Sequence, residues 1–423
     1  MPDSSLRIIV TGLIAQHPLL GGVTWDYLQY PLGLARLGHD VYYFEDSGEW
    51  PYNFDGGPSG DNWAAFDCGK NISHLRDLMS RFGLENKWAY HFPIGEGKWY
   101  GLSDTKRAEI LKSADLLINV SGSLEHPELY RLVSRLIYID TDPVFTQIKL
   151  VQGSQKFRSC VDAHDRFFTF GERLPTSLPA RDYNWRPTRQ PIIRSEWESH
   201  LPQRDVFTTV MSWTSYEPLL YEGQTFGQKD IEFKRFIDLP ASVGSVRMEL
   251  ALGSLLHTWE TDEESFSQRM ATFTIDNPKS NVRERLTHGG WHVVDAVETC
   301  SDIDRYREYI QSSKAEWGVA KNGYVQGRPG WFSCRSACYL AAGKPVIVQD
   351  TGFSEVLPTG EGILVFKTLD EAAAAIQEVN GNYGKHARAT RHITAEYFDS
   401  DKVLGRLIEE SLIGTAGTRC PLT

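Results

Sequence analysis

The chain has 423 residues, 41% hydrophobic and 23% charged, ordinary values for a globular protein with a full-sized core. At about 150 residues per domain, this length predicts two large domains or three small ones. Its 44 Lys and Arg against 55 Asp and Glu give a net charge of −11, which provides no global field for phosphate polymers, so nucleic acid is not an expected partner.

Residues 6–11 (LRIIVT) form a continuous apolar run ending at Gly12, the pattern of a strand buried on both faces of a parallel sheet. A loop with Gly21-Gly22 follows. Residues 25–37 then carry apolar side chains at helical spacing, with Gly38 as a left-handed stop and Pro31 predicting a kink or a later start. The next strand is 41–44, and the whole is one βαβ unit. Further strands are expected at 115–120 (DLLINV), 136–139 (LIYI) and 166–170. The stretch 174–204 changes character: it holds prolines 175, 179, 187, 191 and 202 and has little periodicity, as an interdomain linker does.

A second α/β series runs through 206–213 (VFTTVMSW), 248–252, 291–294, 318–320 and 344–348 (KPVIV). Its clearest helix is 333–342 (SCRSACYLAA), closed by Gly343, and a Thr368/Glu371 capping box opens an alanine-rich helix. The expected architecture is α/β: two doubly wound Rossmann-like domains facing a central cleft. They span 1–190 and 205–395, joined by a linker at 191–204, with a C-terminal helix and tail over 396–423. The six cysteines (68, 160, 300, 334, 338, 420) show no metal-ligand spacing and read as reduced thiols of a cytoplasmic protein. The apolar stretch 8–15 is too short for a membrane span and lacks the marks of a signal peptide.

Residues 330–357 (GWFSCRSACYLAAGKPVIVQDTGFSEVL) resemble the nucleotide-sugar-binding half of GT-B glycosyltransferases. The matching positions are Gly330, Ser333, the helix, Gly343-Lys344-Pro345-Val346, Thr351-Gly352 and Glu355. The Gly21-Gly22 loop and 32–41 (LGLARLGHDV) match the acceptor-side domain of the same superfamily. The resemblance implies transfer of a sugar from a nucleotide diphosphate sugar, a UDP-sugar, to a hydroxyl of a small-molecule or glycan acceptor, with no further cofactor. A helix N-terminus is a ready anion site. Gly330 would let backbone approach the diphosphate, Ser333 would add a hydroxyl beside Cys334, and Arg335 a cation. Ser212, Trp213 and Thr214 fall on a loop that related enzymes use for the donor, with Lys321, Lys229 and Arg328 as further phosphate cations.

Retaining members of the superfamily carry two glutamates separated by seven residues, the second usually on the nucleotide ribose. Here Gly330 and Cys338 stand at those positions, which favours an inverting reaction. Inversion needs a general base, and His17, in the loop after the first strand, is the first candidate. Asp140 or Asp142 (YIDTDP) would orient it or replace it. The D-x-D string also mimics the metal signature of GT-A enzymes, but the GT-B features outweigh it, and no metal is expected. Asp26, near a helix start, is a second-choice base, since an aspartate there usually serves the dipole. Aromatic stretches at 42–54 and 87–100 suit either sugar stacking or packing under loops. Two other readings stand: a sugar-nucleotide epimerase of the same architecture, and a non-catalytic nucleotide-sugar-binding protein.

Overall fold

The computed structural model describes residues 5–52, 67–198, 203–253 and 278–413. The end of the aromatic stretch 42–54, part of the linker (199–202) and the tail beyond 413 lie outside the described residues.

The first sheet contains β1 (Arg7–Thr11), β2 (Asp40–Glu45), β3 (Trp88–Phe92), β4 (Lys98–Gly101), β5 (Leu116–Val120), β6 (Leu136–Asp140), β7 (Arg166–Thr169) and β8 (Arg186–Pro187). Their order is β4-β3-β2-β1-β5-β6-β7-β8, parallel except for the edge strand β4. The central strand β1 sets Ile8 against Val41 on one side and Leu116 on the other. Ile8, Ile9 and Val10 are fully buried, as a run apolar on both faces requires. The second sheet holds β9 (Phe207–Met211), β12 (Met248–Leu252), β13 (His292–Asp295), β14 (Ala315–Gly318), β15 (Val346–Gln349) and β16 (Ile363–Phe366), in the order β13-β12-β9-β14-β15-β16. Between β9 and β12 lies a small hairpin, β10 (Leu219–Tyr221) with β11 (Gln224–Phe226). Both sheets are doubly wound, as expected.

Three elements depart from the sequence reading. Residues 88–101, expected only as an aromatic stretch, form the β3–β4 hairpin at the sheet edge, where His91 stacks on Trp99 at 4.9 Å. β14 begins at Ala315, three residues earlier than expected, because the charge of buried Glu316 is matched by Arg335. The first helix begins at Gly21, not at Trp25, and Pro31 lies inside it.

That early start is where the two domains meet. A Cβ on Gly21 would stand 2.1 Å from the carbonyl oxygen of Asp302, and one on Gly22 would stand 3.0 Å from the Tyr306 ring. One turn on, the Trp25 indole N–H donates to the carbonyl of Ile303 at 2.9 Å. The last helix, Ser400–Leu412, returns to the first domain. Its Leu404 fills the space over Gly33, and Ile192 N–H donates to the Phe398 carbonyl at 2.7 Å beside it. Among the described residues no helix is long and apolar enough to cross a membrane.

Candidate active site

The two sequence-predicted donor loops are laced together at the carboxyl edge of the second sheet. Gly330, at φ +78°, donates its N–H to the Thr351 carbonyl at 3.0 Å, and the Thr351 hydroxyl donates to the Trp331 carbonyl at 2.5 Å. Gly352, at φ +95°, donates its N–H to the Asp350 carboxylate at 2.9 Å, and a Cβ there would press on the Arg328 carbonyl. Both glycines thus meet a conformation that L side chains rarely adopt. Ser333 caps helix Cys334–Ala341 with extended backbone but makes no side-chain cap bond, so the first-turn N–H groups keep their anion-binding capacity. The hollow enclosed by Gly318, Ser333, Arg335, Ser336 and Thr351 has a volume of 20 Å³, room for about one water molecule. Glu355 faces Arg173 of the first domain in an ion pair and lies 3.5 Å from Arg328.

Arg335, expected as a phosphate cation, instead lies across the sheet edge. Its Nε meets Glu316 at 2.5 Å and one Nη donates to the Val210 carbonyl at 2.6 Å. Gly318 leaves room for it, since a Cβ there would stand 2.8 Å from the other Nη. Lys321 is likewise committed: it meets Asp142 of the first domain at 2.9 Å, and the Tyr216 and Tyr324 hydroxyls donate to the same carboxylate. Trp213 is a core residue, packed on Phe233 with ring centres 5.4 Å apart, whereas Ser212 and Thr214 stay half-buried after β9. Lys229 differs from its neighbours. It opens helix Lys229–Phe233 and makes no ion pair among the described residues. Burial, then the charges of Arg335 and Lys321, hold its ammonium well below the usual lysine range.

In the first domain, Gly21 and Gly22 serve the domain contact described above, and not an open loop. His17 is buried and stacks on Tyr52 at 4.8 Å, 16° from parallel. The loop before it is pinned by Glu45, whose carboxylate accepts from Ala15 N–H (2.8 Å), Gln16 N–H (2.6 Å) and the Tyr43 hydroxyl (2.6 Å). Neither aspartate of the D-x-D string orients His17. The Asp140 carboxylate accepts from Thr146 (2.7 Å), Gln147 (2.9 Å), Thr169 (2.8 Å) and the Asp142 N–H (2.9 Å), while burial pushes it up to about 6. Asp142 is held low by Lys321 against its burial. Asp26 lies beyond the first turn of its helix, so it is not a dipole partner.

Residues 273–409 match a family model described as glycosyl transferase-like. No curated protein matches the chain in sequence. Over 96% of its length the chain is similar in fold to an alpha-glucosyltransferase solved with UDP and a 13-mer DNA containing a HMU base (TM-score 0.56, 11% identity, 100% of that chain). It is also similar to sucrose-phosphate synthase from Thermosynechococcus elongatus (TM-score 0.50, 12% identity, covering 96% and 98% of the two chains). The same holds for HepE from Anabaena in complex with UDP-glucose (TM-score 0.50, 12% identity, covering 96% and 99%).

The Glu45 clamp makes the His17 loop sensitive to pH. Burial pushes the Glu45 carboxyl from 4.5 up to about 7, so the folded protein prefers it protonated. A folded value above the unfolded one means that this stabilisation is complete below 4.5 and lost as pH rises through 7. Melting temperatures across that window should therefore fall more steeply for the wild type than for Glu45→Gln, which has no charge to titrate.

Proposed function

Taking a glycosyltransferase-like domain on a GT-B fold as the premise, we propose that the protein transfers a sugar from a nucleotide diphosphate sugar to an acceptor hydroxyl. The donor occupies the second domain and the acceptor the first. The observation that carries this reading is Lys229, which makes no ion pair among the described residues and lies in the field of two further basic groups, Arg335 and Lys321. A diphosphate brings the negative charge that site lacks, and the uncapped turn at Ser333 adds backbone N–H donors to it. UDP and UDP-glucose in the structures of similar fold support uridine as the base.

The reaction is read as inverting. The acceptor oxygen attacks the anomeric carbon as the bond from that carbon to the diphosphate breaks, and a base takes the hydroxyl proton. Gly330 and Cys338 offer no carboxylate for a retaining course. His17 is the proposed base, stacked on Tyr52 and not oriented by Asp140 or Asp142. The leaving diphosphate is offset by Lys229 and backbone dipoles. Asp140 and Asp142, the carboxylates that would otherwise hold a divalent ion, are already engaged by four donors and by Lys321 with two tyrosines.

Three measurements test this reading. Lys229→Ala should weaken UDP binding by about tenfold or more in calorimetry, as loss of a charged hydrogen bond does; unchanged affinity in a folded variant would sink the donor site. Activity should survive EDTA, and loss that manganese restores would turn the aspartates into metal ligands. His17→Ala should lower turnover by about 10²–10⁴ with UDP affinity nearly intact, the usual contribution of a positioned base.

A further inference from the structure

Helix Lys229–Phe233 carries, one turn after Lys229, a buried carboxylate: Glu232 is 2% exposed. Three donors reach it. Its Oε1 accepts from the Asn322 amide at 2.8 Å, and its Oε2 accepts from the Gln349 amide at 2.6 Å and from Arg235 at 2.8 Å. Both amides are buried and pass the connection on to backbone. The Gln349 oxygen accepts from Ala320 N–H at 3.2 Å, and the Asn322 oxygen from Gly227 N–H at 3.0 Å. Gln349 and Ala320 also line the hollow at the donor edge, and Gly227 stands two residues before Lys229. Backbone bonds run beside these, from Asn322 N–H to the Gln228 carbonyl at 3.2 Å and from Asp230 N–H to the Trp213 carbonyl at 3.0 Å.

A buried carboxylate is costly unless donors surround it, and an apolar side chain would fill the same space without that cost. What the carboxylate provides is direction. It only accepts, so each amide must turn its NH2 group towards Glu232 and its oxygen away. The Gln349 oxygen is thereby aimed at Ala320 and the Asn322 oxygen at Gly227. The segment that bears Lys229, the loop after β14 that bears Ala320 and Lys321, and the end of β15 thus meet at one side chain. All three lie at the carboxyl edge of the second sheet, where ligands bind in doubly wound domains.

We propose that Glu232 is a positioning residue of the donor site: by setting the Gln349 and Asn322 amides it presents Lys229 and the rim at Ala320 to the diphosphate in one fixed arrangement. This rests on the donor reading above. The effect of Glu232 on binding passes through Lys229 and not through a contact of its own with the donor.

A double-mutant cycle on the full chain tests it, with UDP affinity read by calorimetry and folding by the melting temperature. Glu232→Gln sets an NH2 group against one of the three donors, and UDP affinity should fall by about tenfold. Added to Lys229→Ala, the same substitution should cost less than about twofold more, because the group it misplaces is already gone. A merely structural role would lower the melting temperature and either leave the affinity alone or multiply the two losses. Wild-type affinity in Glu232→Gln, or losses that multiply in the double variant, would overturn the proposal. Should Glu232→Gln not fold, Asn322→Ala, which cuts the bond to Gly227, takes its place in the cycle and is read in the same way. A loss in Lys229→Ala with none in Glu232→Gln overturns this proposal alone. No UDP binding to the wild type, or full binding to Lys229→Ala, overturns the donor reading and this proposal with it.

Discussion

Two residues without side chains let the first helix rest its opening turn on the backbone of the second domain. Gly21 lies against the carbonyl of Asp302 and Gly22 against the Tyr306 ring, and the Trp25 indole then closes on Ile303. Glycine disfavours helix, so a helix that begins with two of them is held by this contact and not by local propensity. The contact holds the helix against the second domain, with the loop that carries His17 immediately before it. The apolar cluster that includes Trp25, Tyr30, Tyr306 and Cys338 runs through the contact without a break between domains.

Electrostatics in the cleft is divided between settled and unsettled charges. Asp142 with Lys321, and Glu316 with Arg335, are pairs whose partners come from different elements, and each engages a group expected to meet the donor. Lys229 is left over, with no ion pair among the described residues. Buried atoms near the hollow are also unpartnered: the second oxygen of Glu316 and the hydroxyls of Thr209 and Ser336 have no hydrogen-bond partner. Unsatisfied polar groups destabilise an interior, and these three lie at the edge of the second sheet where the donor is proposed to bind.

The strands buried on both faces were legible because nothing but burial decides them: LRIIVT, DLLINV and KPVIV each became a strand within a residue or two of expectation. The capping box at Thr368 was legible because it is a local bargain between side chain and backbone, and both of its bonds form. β14 was misplaced because a glutamate argues against a buried strand until its arginine, nineteen positions on, is seen beside it. The β3–β4 hairpin was hidden because edge strands with one half-exposed face have no strong apolar run. In the site, Gly330, Thr351, Gly352 and Glu355 could be picked out from a pattern continuous in sequence. The commitments of Lys321, Arg335, Asp140 and Asp142 could not, since each depends on a partner distant along the chain. The significance of Lys229 was still less accessible, because it lies in the ion pair that Lys229 does not make among the described residues.

The return of the last helix gives the chain an order of assembly. Leu404, Leu407 and Ile408 complete the core of the first domain, and Arg135, Arg166 and Arg186 donate to carbonyls at the end of that helix. The amino-terminal unit is therefore discontinuous: during synthesis on the ribosome it waits with an open apolar groove while the entire second domain is made. It closes only when residues 400–412 emerge. A fragment cut between the two sheets would keep that groove exposed to water, whereas a circular permutation that joins the last helix to β1 would make the unit contiguous and let it fold first.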